Sequence, residues 1–114
     1  MPAEIVRKNR DKIAQLCRRY GVARLDIIGS ATSETTFDPA RSDIDLLVEF
    51  EGSEGLFQRY FDLKEALEQL FHRPVDLLVR RAIRNPYFLQ EVERQRVTLY
   101  EEFGLSSSAE GVEG

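Results

Sequence analysis

The sequence is short of several things, and each shortage removes a class of function. Its 114 residues include one cysteine, Cys17, which cannot form an internal disulfide, so a reducing, cytoplasmic setting is expected. The longest apolar runs are only a few residues, far below the ~20 that cross a bilayer. The opening stretch MPAEIVRKNRDK is charged too early to hold the apolar core of a signal peptide. A surplus of positive charge is lacking too. Of 20 acidic residues, Glu101, Glu102, Glu110 and Glu113 stand at the end, and the rest match the 16 basic residues. A neutral body lacks the clustered Lys and Arg of a broad nucleic-acid surface, so direct nucleic-acid binding is not expected.

What is present, 42% hydrophobic and 32% charged residues, suits one small globular domain with one core. That domain is expected to span residues 1–103. The stretch GLSSSAEGVEG (104–114) has too little apolar content to pack and is expected to be disordered.

Periodicity gives the elements. Residues 3–20 read as one helix, with Ile5, Ile13, Leu16, Cys17 and Tyr20 on one side and Gly21 suited to a left-handed C-cap. RLDIIGS (24–30) reads as a strand running into a Gly-Ser turn, and SETTFDPAR as a loop. SDIDLLVEF (42–50) is the clearest strand. Residues 56–71 form a helix whose apolar stripe includes Leu56, Phe57, Tyr60, Leu63, Leu67, Leu70 and Phe71. PVDLLV (74–79) is a strand, Asn85-Pro86 caps and opens a further helix, and RVTLYE (96–101) closes with a strand. The order is α-β-β-α-β-α-β. Loop 31–41 is too short for a helical crossover, so the first two strands should be antiparallel, while a strand following a full helix can be parallel. The fold class is therefore α+β, a small mixed sheet with helices mainly on one face.

Three acids stand out. Residues two apart on a strand share a face ~6–7 Å apart, so Asp43 and Asp45 aim the same way from an otherwise apolar strand. Like charges held together are costly, and a cation between them removes the conflict. Asp76 is one more acid among Val75, Leu77, Leu78 and Val79. Alone it reads as an acid at a wet strand end. Beside the other strand it completes a carboxylate trio suited to two Mg²⁺ ions ~3.5–4 Å apart. Gly29 allows close backbone approach, and Ser30 with nearby backbone N–H groups can hold phosphate oxygens.

The arrangement strand, Gly-Ser, spacer, Asp-x-Asp, carried by GSATSETTFDPARSDIDLLVEF, resembles the nucleotidyltransferase superfamily related to DNA polymerase β. It is most similar to the minimal nucleotidyltransferases, the small antitoxin partners of HEPN proteins in prokaryotic toxin–antitoxin pairs. RPVDLLV, IRNPYFLQEV and VTLYE resemble the later elements of that family, so the likeness covers residues ~5–102. It implies that Ser30 contacts the triphosphate of ATP, Gly29 is the turn glycine, and Asp43 and Asp45 bind metal. Asp76 would complete the metal site and help activate the acceptor hydroxyl. It also implies transfer of AMP with release of pyrophosphate. Two features depart from the family: the spacer 31–42 is longer than usual, and Ala31 and Thr32 replace the Arg often found after Gly-Ser. They bear on triphosphate grip and leave the acids untouched.

Larger members carry an added domain that grips the base or the acceptor. A chain of this length is expected to rely on a partner protein, and the resemblance implies a tyrosine of a HEPN ribonuclease toxin. The alternative is a non-catalytic antitoxin or nucleotide-binding module that neutralises its partner by binding alone. Other residues read as structural. His72 suits a helix C-terminus, and Asp26 an exposed strand edge. Arg80, Arg81 and Arg84 suit a solvated helix start. Phe57, Tyr60, Phe61 and Phe71 read as core packing, and Cys17 as a small buried residue.

Overall fold

The computed structural model describes residues 3–32, 38 and 43–102. Helices α1 (Glu4–Arg7) and α2 (Arg10–Arg19) lead into strand β1 (Val22–Ile28) and a short 3₁₀ turn (Gly29–Thr32). Strand β2 (Ile44–Phe50), helix α3 (Leu56–Phe71) and strand β3 (Val75–Val79) follow. A second 3₁₀ turn (Arg80–Ala82), helix α4 (Pro86–Gln95) and strand β4 (Val97–Glu101) complete the chain. Among the described residues no helix is long and apolar enough to cross a membrane.

The strand order is β3-β2-β1-β4. The β1–β2 connection has no room for a helical crossover and that pair is antiparallel, whereas the α3 crossover makes β2 and β3 parallel, as expected from the lengths of the connections. β4 returns antiparallel to β1. Alternation along the strands sorts the two faces. Leu25, Ile27, Leu46, Val48 and Leu77 join Ile13 and Cys17 of α2 and Leu63, Leu67 and Phe71 of α3 in the main core. Ile28 and Leu47 face the other way, against Val92 of α4, with Leu78, Ile83 and Leu89 around them. The sheet thus carries most of its helices on one face and α4 alone on the other. Burial of Cys17 in the main core pushes its thiol up to about 12, against a small opposing pull from Arg18, so it stays protonated and unreactive.

Local chemistry fixes the ends. Gly21 takes φ +69 just past α2, the conformation that lets β1 leave at once. His72 ends α3 at φ 57 and is exposed. The Asn85 side chain accepts from the N–H groups of Tyr87 (2.9 Å) and Phe88 (3.2 Å), and Pro86 opens α4 with a preset φ. Glu68 accepts from the Val75 N–H at 3.0 Å, which pins the start of β3 and holds that carboxyl below its usual range.

Four expectations are corrected. Residues 3–20 are two helices, because the Asn9 side chain donates to the Ile5 carbonyl at 2.7 Å and its backbone leaves helical geometry. Asp43 lies just ahead of β2, outside the strand. Asp26 is at no exposed edge: β1 is an interior strand, and Asp26 is 1% exposed. Its carboxylate accepts from the Arg24 Nε at 3.0 Å and lies 3.6 Å from an Arg96 nitrogen. Removing one member of a buried ion pair strands the others. Asp26→Ala should therefore cost about 3–5 kcal/mol in denaturant unfolding, since it also strands a buried Arg96 guanidinium nitrogen. Finally, Phe57 (77% exposed) and Phe61 (48%) flank the inward row of α3 instead of joining the core. Their rings meet in a tilted contact, 59° between planes, with centroids 4.7 Å apart.

Candidate active site

The carboxylates follow from register. In the parallel β2–β3 pair Asp45 is the direct partner of Asp76, as Leu47 is of Leu78 two residues on. Neighbouring strands are ~4.8 Å apart, and residues at i and i+2 share a face. Asp45 and Asp76 therefore stand side by side on the α4 face, at the sheet end where β1 turns away. Asp43 is exposed at the entry to β2. Burial raises the Asp45 carboxyl above its ordinary range, and the charges of Asp76 and Asp43 push it further the same way. The electrostatics thus link all three acids.

Gly29 packs against this cluster from β1. Ile28 pairs with Asp45 across β1–β2, so the next residue meets the Asp45 side chain. A Cβ built on Gly29 would lie 2.5 Å from Asp45 Oδ2, and φ is +72. Both facts require glycine here. Ser30 sits half-buried in the 3₁₀ turn that follows. The Thr32 hydroxyl donates to the Gly29 carbonyl at 2.7 Å, and the Ala3 N–H donates to the Ala31 carbonyl at 3.0 Å. The turn is held from both sides. The spacer with Phe37 and Pro39 lies largely outside the described residues.

A cavity of about 210 Å³ opens over the acids, lined by Gly29, Asp45, Asp76, Leu78, Phe88 and Gln95 among others. Larger hollows at other places on the surface lack the carboxylate pair. Sequence reasoning missed the contribution of α4. Phe88, Val92 and Gln95 recur at helical spacing and face the cavity together. That period is visible in the sequence, but the strand it would face is not. Gln95 Oε1 accepts from the Gly29 N–H at 2.8 Å.

Among the described residues no three Asp, Glu, His or Cys side chains converge closely enough to chelate an ion unaided. The donor set still suits Mg²⁺. That ion takes one or two carboxylates and completes its shell with water and substrate phosphates. Burial first, and then the neighbouring charges of Asp76 and Asp43, raise Asp45, and a divalent cation would relieve both. Of the other basic residues, Arg80 pairs with Glu93 and lies 3.8 Å from Glu49, and Arg81 donates to the Phe50 carbonyl at 3.1 Å. Those two serve the sheet end, and His72 stands exposed at the C-cap of α3.

Comparison with known proteins shows the family and the fold. The family described as "Nucleotidyltransferase domain" matches residues 10–99. A Methanocaldococcus jannaschii protein with the provisional name protein adenylyltransferase is 34% identical over 95 residues, covering 82% of this chain and 90% of its own length. A solved structure provisionally assigned as a minimal nucleotidyltransferase superposes with a TM-score of 0.70 and 33% identity, over 85% of this chain and 95% of that one. A chain from the complex of tri-AMPylated Shewanella oneidensis HEPN toxin with its MNT antitoxin shares the fold at TM-score 0.61 and 20% identity, over 87% of this chain and 75% of that one. The chain belongs to the nucleotidyltransferase domain family and is a nucleotidyltransferase of the minimal type.

Proposed function

We propose that the chain transfers AMP from ATP to a hydroxyl on a partner protein, a tyrosine of a HEPN-family toxin, and so acts as its antitoxin. The observation that carries this reading is the pairing of Asp45 with Asp76 across β2–β3, beside a glycine turn packed against Asp45. Ser30 and the turn backbone grip the triphosphate, and Asp43, Asp45 and Asp76 would hold Mg²⁺ together with the substrate phosphates. The chemistry such an ion would supply is neutralisation of charge on the transferring phosphoryl group and the leaving pyrophosphate. Asp76, on the edge strand, takes the proton of the acceptor hydroxyl. The acceptor oxygen bonds to the α-phosphorus as the α–β bridging P–O bond breaks, and pyrophosphate departs. Positioning and charge neutralisation carry the catalysis.

The partner assignment draws on relatives: one carries the name protein adenylyltransferase, and a fold neighbour was captured with an AMPylated HEPN toxin. Incubation with α-labelled ATP, Mg²⁺ and the product of the adjacent reading frame should label that product. Absence of label with full neutralisation, retained by an Asp43/Asp45 double variant, supports the alternative of a module that silences by binding alone. Ala31 and Thr32 in place of the family's Arg favour that alternative.

A further inference from the structure

Gln95 plays no part in the reading above, yet it makes a direct contact with the turn on which that reading depends. It is the last residue of α4, and its Oε1 accepts the Gly29 N–H at 2.8 Å. The next residue, Arg96, reaches back to Asp26 on β1, with 3.6 Å between a guanidinium nitrogen and Oδ2. Consecutive residues at the end of α4 thus hold β1 at two points, Asp26 and Gly29, on either side of Ile28. Phe88 and Val92, on the same face of α4, line the cavity with Gln95.

Gly29 leaves β1 at φ +72, the conformation that turns the chain toward Ser30. Glycine has the widest backbone freedom of any residue, so such a junction wanders unless something else fixes it. We propose that Gln95 is a positioning residue for the nucleotide-binding turn. By taking up the Gly29 N–H it fixes the Ile28–Gly29 peptide plane at the entry to the turn, while the Thr32 hydroxyl holds the Gly29 carbonyl, so that the Ser30 hydroxyl and the amides after it meet the triphosphate already oriented. The Gly29 N–H itself is then committed to the protein and is no phosphate donor. This role rests on the reading that the Gly29–Ser30 turn receives the triphosphate.

Two variants separate the hydrogen bond from packing. Gln95→Met keeps the length and volume of the side chain and loses the acceptor, whereas Gln95→Glu keeps an accepting oxygen. Amide exchange at Gly29, followed by NMR on the full chain, reads the contact itself. Steady-state transfer with Mg²⁺ and varied ATP reads its consequence. In Gln95→Met the Gly29 amide should exchange about 10²-fold faster and KM for ATP should rise about tenfold, with kcat within about threefold of wild type. Gln95→Glu should restore the protection of Gly29.

Wild-type exchange and wild-type KM in Gln95→Met would overturn the role. So would a lower KM, which would make Gln95 a competitor of the ligand. If the wild-type protein neither binds nor turns over ATP, the nucleotide reading itself fails and this role falls with it, whatever Gly29 exchange shows. A wild type that turns over ATP, beside an unaltered Gln95→Met, removes only the role of Gln95.

Discussion

Asp45→Asn is expected to cut AMP transfer by about 10²-fold or more while leaving the fold as stable as before, or more so. The activity loss follows from deleting a preorganised charge at the reacting centre, where single electrostatic contributors are worth about 10²–10³ in rate. The stability result follows from the sign of the shift. Burial, and then Asp76 and Asp43, raise the carboxyl of Asp45 in the folded chain above its unfolded value. Folding therefore disfavours the ionised form. The associated stability is fully present below the unfolded pKa and is lost as pH rises through the raised folded one. Once ionised, Asp45 is a burden on the metal-free protein, and a neutral amide of the same shape removes it. Thermal melts without divalent ions, run from pH 4 to 7, check this. The wild type should lose stability relative to Asp45→Asn as pH rises, and Mg²⁺ with ATP should favour only the wild type.

Gly29→Ala should damage both stability and activity. The alanine Cβ would stand 2.5 Å from Asp45 Oδ2 with φ at +72, so either the backbone or the carboxylate must give way. Left-handed backbone at a non-glycine residue costs about 1–2 kcal/mol, a loss of roughly 4–8 °C in Tm per kcal/mol for a domain of this size. Displacing the Asp45 carboxylate by about 1 Å is enough for a loss on the order of 10²-fold in transfer. The pair of variants is diagnostic. Asp45→Asn separates activity from stability, and Gly29→Ala lowers them together.

Much of this site is legible in the sequence because it lies on regular elements. Asp45 and Asp76 are single acids in short apolar strands, so the period of two fixes their face once the strands are named. The α3 crossover between them argues for parallel neighbours, and the pairing of the two residues follows from register alone. Gly29-Ser30 is legible for a different reason: a glycine closing an apolar strand marks a place where a side chain cannot fit.

The parts that were not legible depend on long-range partners. Asp26 looks like any acid on a strand until β4 places Arg96 against it, 70 residues away in sequence. Its burial is a product of ion pairing, and composition carries no trace of that. Asn9 breaks the first helix through one side-chain bond to Ile5, a competition that helical periodicity does not register. Phe57 and Phe61 belong by spacing to the apolar arc of α3, and the arc is simply wider than the sheet it covers. Gln95 is a polar residue at a helix end, indistinguishable by pattern from a solvated one, and only the approach of β1 gives it a partner.

A double-mutant cycle in AMP transfer, built from Asp45→Asn, Asp76→Asn and the two together, tests the joint action of the paired acids most directly. If they serve one metal-bound transition state, the double variant should be about as slow as the worse single variant, far from the product of the two losses. Wild-type transfer by Asp76→Asn would contradict that joint action.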